Sequence, residues 1–197
     1  MYRSQEVRNY VANRIYRLED MADRSAQKAR YAELRRGVGS RPGDIPQLWG
    51  ILFQNLPETM MSRDGEPSRE EWAICTTLTL YAFHQQGRDP QQDSVNMENQ
   101  GLGQALTKLI EPDEGEERIL RRFNRFATSA DMPEAVTHLR GIVGLLKSSG
   151  VGLDYPRLAG ELYEYQSYDG AKRIRLMWGE DFYRHFPSTN KEEEKDD

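Results

Sequence analysis

The sequence predicts an all-α protein built as two small helical bundles joined by a short polar linker. Three observations predict it. Apolar residues recur at helical spacing in about nine segments of the 197-residue chain. Helix start and stop residues bracket most of those segments. No stretch alternates apolar and polar residues as a half-buried strand would.

The first segment, SQEVRNYVANRIYRLEDMADR, places Val7, Val11, Ile15 and Leu18 on one face, with Tyr10 beside them. Ser4 is its expected N-cap, and Arg8, Arg14 and Arg17 are expected outward. SAQKARYAELRRG follows as a helix capped by Ser25 and stopped by Gly37. GVGSRPGDIP is a loop by its glycines and prolines. PQLWGILFQNLPE reads as a short apolar helix ended by Pro57. SREEWAICTTLTLYAFHQQG opens on a capping box of Ser68 and Glu71. It presents Trp72, Cys75, Leu78, Tyr81 and Ala82 along one face, and Gly87 ends it.

Residues 88–100 are polar without period, and the division between bundles is placed there: 1–98 N-terminal, 99–189 C-terminal. GLGQALTKLIE opens the second half; its two glycines read as a flexible helix entry. RILRRFNRF is the next helix. SADMPEAVTHLRGIVGLLKSSG starts at Asp131 with Pro133 and Glu134 in the first turn. DYPRLAGELYEYQSY is capped by Asp154. DGAKRIRLMWGEDFYRHF closes the fold with Ile174, Met177, Trp178 and Phe182 inward. The acidic tail 190–197 is expected to be disordered.

Charge is distributed unevenly. The net charge is −5, yet residues 1–41 carry ten basic and five acidic groups and residues 118–147 six and two. Between them, residues 42–117 carry four basic and fourteen acidic groups. The sharpest feature is RILRRFNRF. On a helical wheel Arg118, Arg121, Arg122 and Arg125 share a stripe about 100° wide, while Ile119, Leu120, Phe123 and Phe126 share the neighbouring one. Guanidinium forks in a row suit phosphate oxygens. A solvated face paired with Glu111, Asp113, Glu114, Glu116 and Glu117 is the other reading.

Several chemistries lack their residues. There is no phosphate-loop, dinucleotide or zinc-protease motif, and His84, His138 and His185 have no metal-ligand spacing. Cys75 is the single cysteine, so no internal disulfide forms, which fits a reducing cytoplasm. It lies on a predicted buried face and reads as packing. The helical spacing of Trp49, Trp72, Tyr81 and Trp178 reads as core. No apolar run reaches the length of a membrane span, and MYRSQEVRNY has no signal-peptide core.

YAELRRGVG, DIPQLWGILFQNLPE, TLTLYAFHQQG, GLGQALTKLI, ERILRRFNRFATSADMPEAVTHLRGIVGLLKSSGVGLDYPRLAGELY and WGEDFYR occur in this order. Together they resemble the CasB family, the small subunit of the type I-E CRISPR Cascade surveillance complex, over about Ala12 to Phe186. The resemblance implies an all-helical, two-bundle fold with no catalytic activity; from the missing motifs, no cofactor or metal is expected. It implies crRNA-holding backbone subunits, the large subunit and a second copy of the chain as partners, with crRNA, target DNA and the displaced non-target strand as ligands. It carries over Arg35 and Arg36 in LRRG, the four arginines of RILRRFNRF, Arg140 in HLRG, and Lys172 and Arg173 at the start of the last helix. Lys28, Arg30 and Lys147 are further candidates from the charge blocks. A helical module whose arginine ridge docks an acidic protein is the competing expectation.

Overall fold

The computed structural model describes residues 2–110 and 116–186. The expected disordered tail lies outside them, as do Glu111, Asp113 and Glu114. Among the described residues there are nine α-helices and no strand, so the all-α expectation holds. They are α1 (Tyr2–Glu19), α2 (Arg24–Arg36), α3 (Trp49–Leu52), α4 (Arg69–His84), α5 (Leu102–Thr107), α6 (Glu116–Ala127), α7 (Met132–Ser148), α8 (Tyr155–Tyr165) and α9 (Tyr168–His185). Single 3-10 turns at Pro46–Leu48 and Glu58–Met60 flank α3.

The caps follow the physics of unsatisfied first-turn amides, with shifts of one or two residues. Asp131 accepts from the Glu134 amide at 2.9 Å and Asp154 from that of Arg157 at 2.8 Å, as expected. The capping box of α4 is complete: Ser68 Oγ accepts from the Glu71 amide at 3.0 Å, and Glu71 accepts from the Ser68 amide at 2.8 Å. Helix α2 starts earlier than expected. Asp23 caps it, accepting from the amides of Ser25 and Ala26, because its carboxylate reaches the first-turn donors of a helix that begins two residues sooner. Helix α1 already runs at Tyr2, so Ser4 lies inside it rather than capping it.

Helix α4 is the axis of the packing. The expected single apolar face is too narrow: Ile74, Thr76, Thr77, Thr79 and Leu80 are buried as well. The reason is that α4 packs against α2, α7, α8, α1 and α3, so no side of its central turns meets water. The N-terminal helices also meet the C-terminal ones through α1 against α8. The buried apolar side chains of both groups form one cluster.

Segment 88–100 is not a free linker. Val95 is buried, Leu153 donates to the Val95 carbonyl at 2.9 Å, and Met97 donates to that of Leu153 at 3.1 Å. The side chains of Gln85 and Asp154 bond to it, and its own Asn96 side chain accepts from the Tyr155 amide. Polar residues without period mark this segment because most of its partners are hydrogen-bonding groups of backbone and side chains, not an apolar face.

Three side chains and two glycines lie differently from expectation. Arg14 is buried, its guanidinium bonded to the Tyr10 hydroxyl at 2.8 Å and stacked on that ring. Met177 faces outward, because Trp178 takes the core position beside it. Trp49 is 51% exposed. Its segment forms only one short helical turn, so the spacing that places it in a core face is never realised. Gly101 and Gly103 mark close approach rather than flexibility. A Cβ on Gly103 would stand 2.5 Å from the Phe182 nitrogen and 2.6 Å from the Trp178 oxygen, so α5 lies directly on the backbone of α9.

Candidate nucleic-acid interface

Helix α6 forms as an arginine ridge on an aromatic foot. Ile119, Phe123 and Phe126 are buried, while Arg118, Arg121, Arg122 and Arg125 are exposed. Phe123 stacks on Phe182 at 6.1 Å, and Phe126 contacts Trp178 at 4.9 Å and Tyr165 at 6.0 Å. The C-terminal end is closed from outside the helix. Arg175 Nε donates to the Ala127 carbonyl, and the Tyr165 hydroxyl lies 3.2 Å from the carbonyl oxygens of Ala127 and Ser129. Docked at this end and along its apolar face, the ridge is held in place while its cations face solvent.

Of the acids just upstream, Glu117 pairs with Arg121 at 2.8 Å, and both members are well exposed. Such an i,i+4 pair contributes only a few tenths of a kcal/mol. Arg118, Arg122 and Arg125 have no carboxylate partner among the described residues.

A second cationic feature is a groove of about 630 Å³ between α2 and the turn that follows α4. Arg24, Lys28, Tyr31 and Arg35 line one wall. They fall at i, i+4, i+7 and i+11, one stripe of α2. Residues 85–90 form the opposite wall, turned by Gly87 at φ 91°. Arg24 pairs with Asp89 at 3.3 Å and Arg88 with Asp93 at 3.1 Å. Lys28 and Arg35 have no carboxylate partner among the described residues.

Lys147 reaches this region from α7. Its Nζ donates to Gln86 Oε1 at 2.8 Å and sits 4.8 Å above the Phe83 ring. Burial, and then the neighbouring Arg35 guanidinium, lower its pKa. The two basic blocks of the sequence therefore do converge, at Arg35 and Lys147. Arg140 precedes Lys147 by seven residues, two turns of α7, and so lies on the same face about 10 Å away. It is exposed and unpaired with any acid among the described residues.

The remaining expected residues are less free. Lys172 lies 3.9 Å over the Tyr168 ring. Arg173 is ion-paired with Glu164 and lines a different groove, with Arg8 and Arg157, between α1 and the α8–α9 pair. Arg36 is exposed one position beyond Arg35, on an adjacent face of α2. Sequence reasoning misses Arg24 and Arg88 at the groove. The stripe Arg24, Lys28, Arg35 is available as a signal; the turn that brings Arg88 opposite it is not. Among the described residues no three His, Cys, Asp or Glu side chains are gathered as a metal ion would need. No described helix is long and apolar enough to cross a membrane.

These features define a class first: a small all-helical protein whose unpaired cations gather on a ridge and in a groove. Residues 30–183 match the family described as CRISPR-associated protein Cse2, and the chain belongs to that family. The crystal structure of CasB from Thermobifida fusca superposes with a TM-score of 0.73 at 29% identity, covering 90% of this chain and 97% of that one. Comparison with curated proteins gave no match. Family membership makes the chain a small subunit of the type I-E CRISPR Cascade complex.

Proposed function

We propose that this subunit braces the crRNA–target DNA hybrid and holds the displaced non-target strand through sequence-independent phosphate contacts, without catalysis of its own. The observation that carries the reading is the ridge: Arg118, Arg122 and Arg125 are exposed on a docked helix with no carboxylate partner among the described residues. Fixed, unpaired guanidiniums attract a polyanion, and phosphate accepts their forks two bonds at a time. The groove with Lys28, Arg35 and Lys147 supports the same reading, since like charges converge there and an anion relieves their repulsion. Arg36, Arg140, Lys172 and Arg173 extend the proposed surface, Arg173 the least because Glu164 already holds it. In a guide-directed complex base pairing reads the sequence, so the protein needs only backbone contacts. Its protein partners in this reading are the crRNA-holding backbone subunits, the large subunit and a second copy of the chain.

The test is binding of labelled single-stranded DNA across a salt series, wild type beside Arg121→Ala/Arg122→Ala/Arg125→Ala. The expected result is salt-sensitive binding, independent of base sequence, that weakens for all sequences alike in the variant. Unchanged affinity would remove the ridge from the interface. Loss of a pulled-down Cascade subunit with DNA affinity intact would favour the acidic-protein reading of the ridge.

A further inference from the structure

Helices α6 and α9 pack antiparallel. Phe126 meets Trp178 at 4.9 Å, and one turn earlier in α6 Phe123 meets Phe182, one turn later in α9, at 6.1 Å. The start of α6, with Arg118, therefore lies beside the end of α9. Phe186, the last described residue, extends that contact, its ring 5.7 Å from the ring of Phe182. The chain thus leaves α9 beside the arginine ridge. The sequence that follows is PSTNKEEEKDD, residues 187–197, outside the described residues. In it Glu192, Glu193, Glu194, Asp196 and Asp197 set five carboxylates against two ammonium groups, Lys191 and Lys195.

The ridge lacks counter-charge of its own. Arg118, Arg122 and Arg125 are exposed without a carboxylate partner among the described residues, and Arg121 has only its exposed pair with Glu117. Arg118 and Arg125 are seven residues apart on the helix, about 10 Å. Glu192 follows Phe186 by six residues, which span up to about 20 Å when extended. The acids from Glu192 onward therefore have the reach to lie along the ridge. So short a tether presents them at an effective concentration of about a millimolar or more. A carboxylate accepts a guanidinium fork as a phosphate does, so a run of carboxylates imitates a nucleic-acid backbone.

We propose that in the free subunit the ridge is occupied by this acidic segment, which nucleic acid must displace. The inference rests on the nucleic-acid reading above and adds regulation of the same site: the chain carries its own competitor for phosphate. The contact is between exposed charges, so each pair is weak and is screened by salt. Weak occupancy of this kind discriminates between ligands by local concentration. A stray strand, dilute in solution, competes poorly with a tethered acid. A strand held beside the ridge by guide pairing is itself concentrated there, and displaces the segment.

The contact is measured first without DNA, on the full chain. Cys75 is buried, and burial pushes its thiol pKa up to about 12, so a spin label directed at Asn190→Cys attaches there selectively. At low salt the label is expected to broaden the NMR signals of Arg118, Arg122 and Arg125, and to lose that effect at about 0.5 M salt. Broadening confined to other surfaces overturns the inference, whatever the chain does with DNA. The competition is measured next, with labelled oligothymidylate over a salt series. Wild type is compared with Glu192→Gln/Glu193→Gln/Glu194→Gln/Asp196→Asn/Asp197→Asn. The variant is expected to bind about fivefold more tightly at low salt, with a steeper salt slope, and to match wild type at high salt. The substitutions also remove five negative charges, so they are repeated on Arg118→Ala/Arg122→Ala/Arg125→Ala, where the gain is expected to vanish. A gain of the same size in that background is a general effect of net charge and overturns the inference. Equal affinity of wild type and the five-acid variant overturns it too, and leaves the nucleic-acid reading standing. Broadening at the ridge with no DNA binding by either chain overturns the nucleic-acid reading and the displacement, and leaves the contact itself in place.

Discussion

Arg35 on α2 lines the same groove as Gln86, to which Lys147 of α7 donates, and after burial the guanidinium helps to lower the lysine's pKa. Neither has a carboxylate partner among the described residues. Two cations held together in this way are an arrangement whose repulsion a bound phosphate relieves. The relationship joins the basic N-terminal block to the basic block that includes RILRRFNRF.

Each of these cations therefore counts in the salt dependence. Arg35→Gln and Lys147→Gln are each expected to weaken single-stranded DNA binding and to lower the slope of log affinity against log salt by about 1. The folded state should change by less than about 1 kcal/mol, since both groups are only partly buried and neither has a carboxylate partner among the described residues. Filter binding over a salt series, with thermal melts as the control, measures both. A slope equal to wild type in the two variants would separate the groove from the DNA.

The aromatic foot of α6 makes a different prediction for neighbouring positions. Phe123→Ala removes a ring packed on Trp178 and Phe182 and is expected to cost about 3–5 kcal/mol of stability. Arg122→Ala, one residue away, should change stability by less than about 0.5 kcal/mol and act on DNA affinity instead. Urea unfolding of the two variants tests the division of labour within one helix.

Periodicity and caps make most of the helices legible in the amino-acid order itself. RILRRFNRF is legible in full, because both its faces are set by residues of strong and opposite character. Legibility fails where a residue's neighbours come from distant segments. Trp49 reads as core on helical spacing that its single turn never realises. Arg14 reads as outward because the phenol that receives it lies one turn earlier and is itself held by backbone carbonyls of a distant segment. The groove wall at 85–90 is invisible in the chain because only the fold brings it opposite α2. The GLG glycines read as flexible because nothing local reveals that α9 presses on them.

That last contact is testable by two substitutions of one kind. Gly103→Ala would drive a methyl into the backbone of Trp178 and Phe182, so α5 and α9 must separate; a loss of more than about 2 kcal/mol is expected. Gly141→Ala, in the middle of α7, meets nothing within 4 Å and should raise stability by about 0.5–1 kcal/mol through helix propensity alone. Melting temperatures moving in opposite directions would support both assignments. A tolerated Gly103→Ala would contradict the close α5–α9 approach.

The groove's positive field also reaches the core. His84 is fully buried, with Nδ1 2.8 Å from the Tyr155 hydroxyl and Nε2 without a partner among the described residues. Burial first, then Arg88 and Lys147, lower its pKa to about 4 from 6.5. At pH 7 it is neutral in both folded and unfolded chains, so the stabilising contribution of the neutral form is fully present there. On acidification the unfolded chain takes up the proton as pH falls through about 6.5, while the folded chain resists until about 4. Stability is therefore lost progressively across that window, by about 3 kcal/mol if this group acts alone. Glu161 works in the opposite sense: burial raises its pKa, and its folded form is relatively favoured as pH drops. The difference between wild type and His84→Gln isolates the histidine. Urea unfolding from pH 4 to 8 should show a steeper acid loss in the wild type than in the variant, whose own baseline is lower because the Tyr155 contact changes. Parallel profiles would mean that His84 titrates normally and that Arg88 and Lys147 do not act on it.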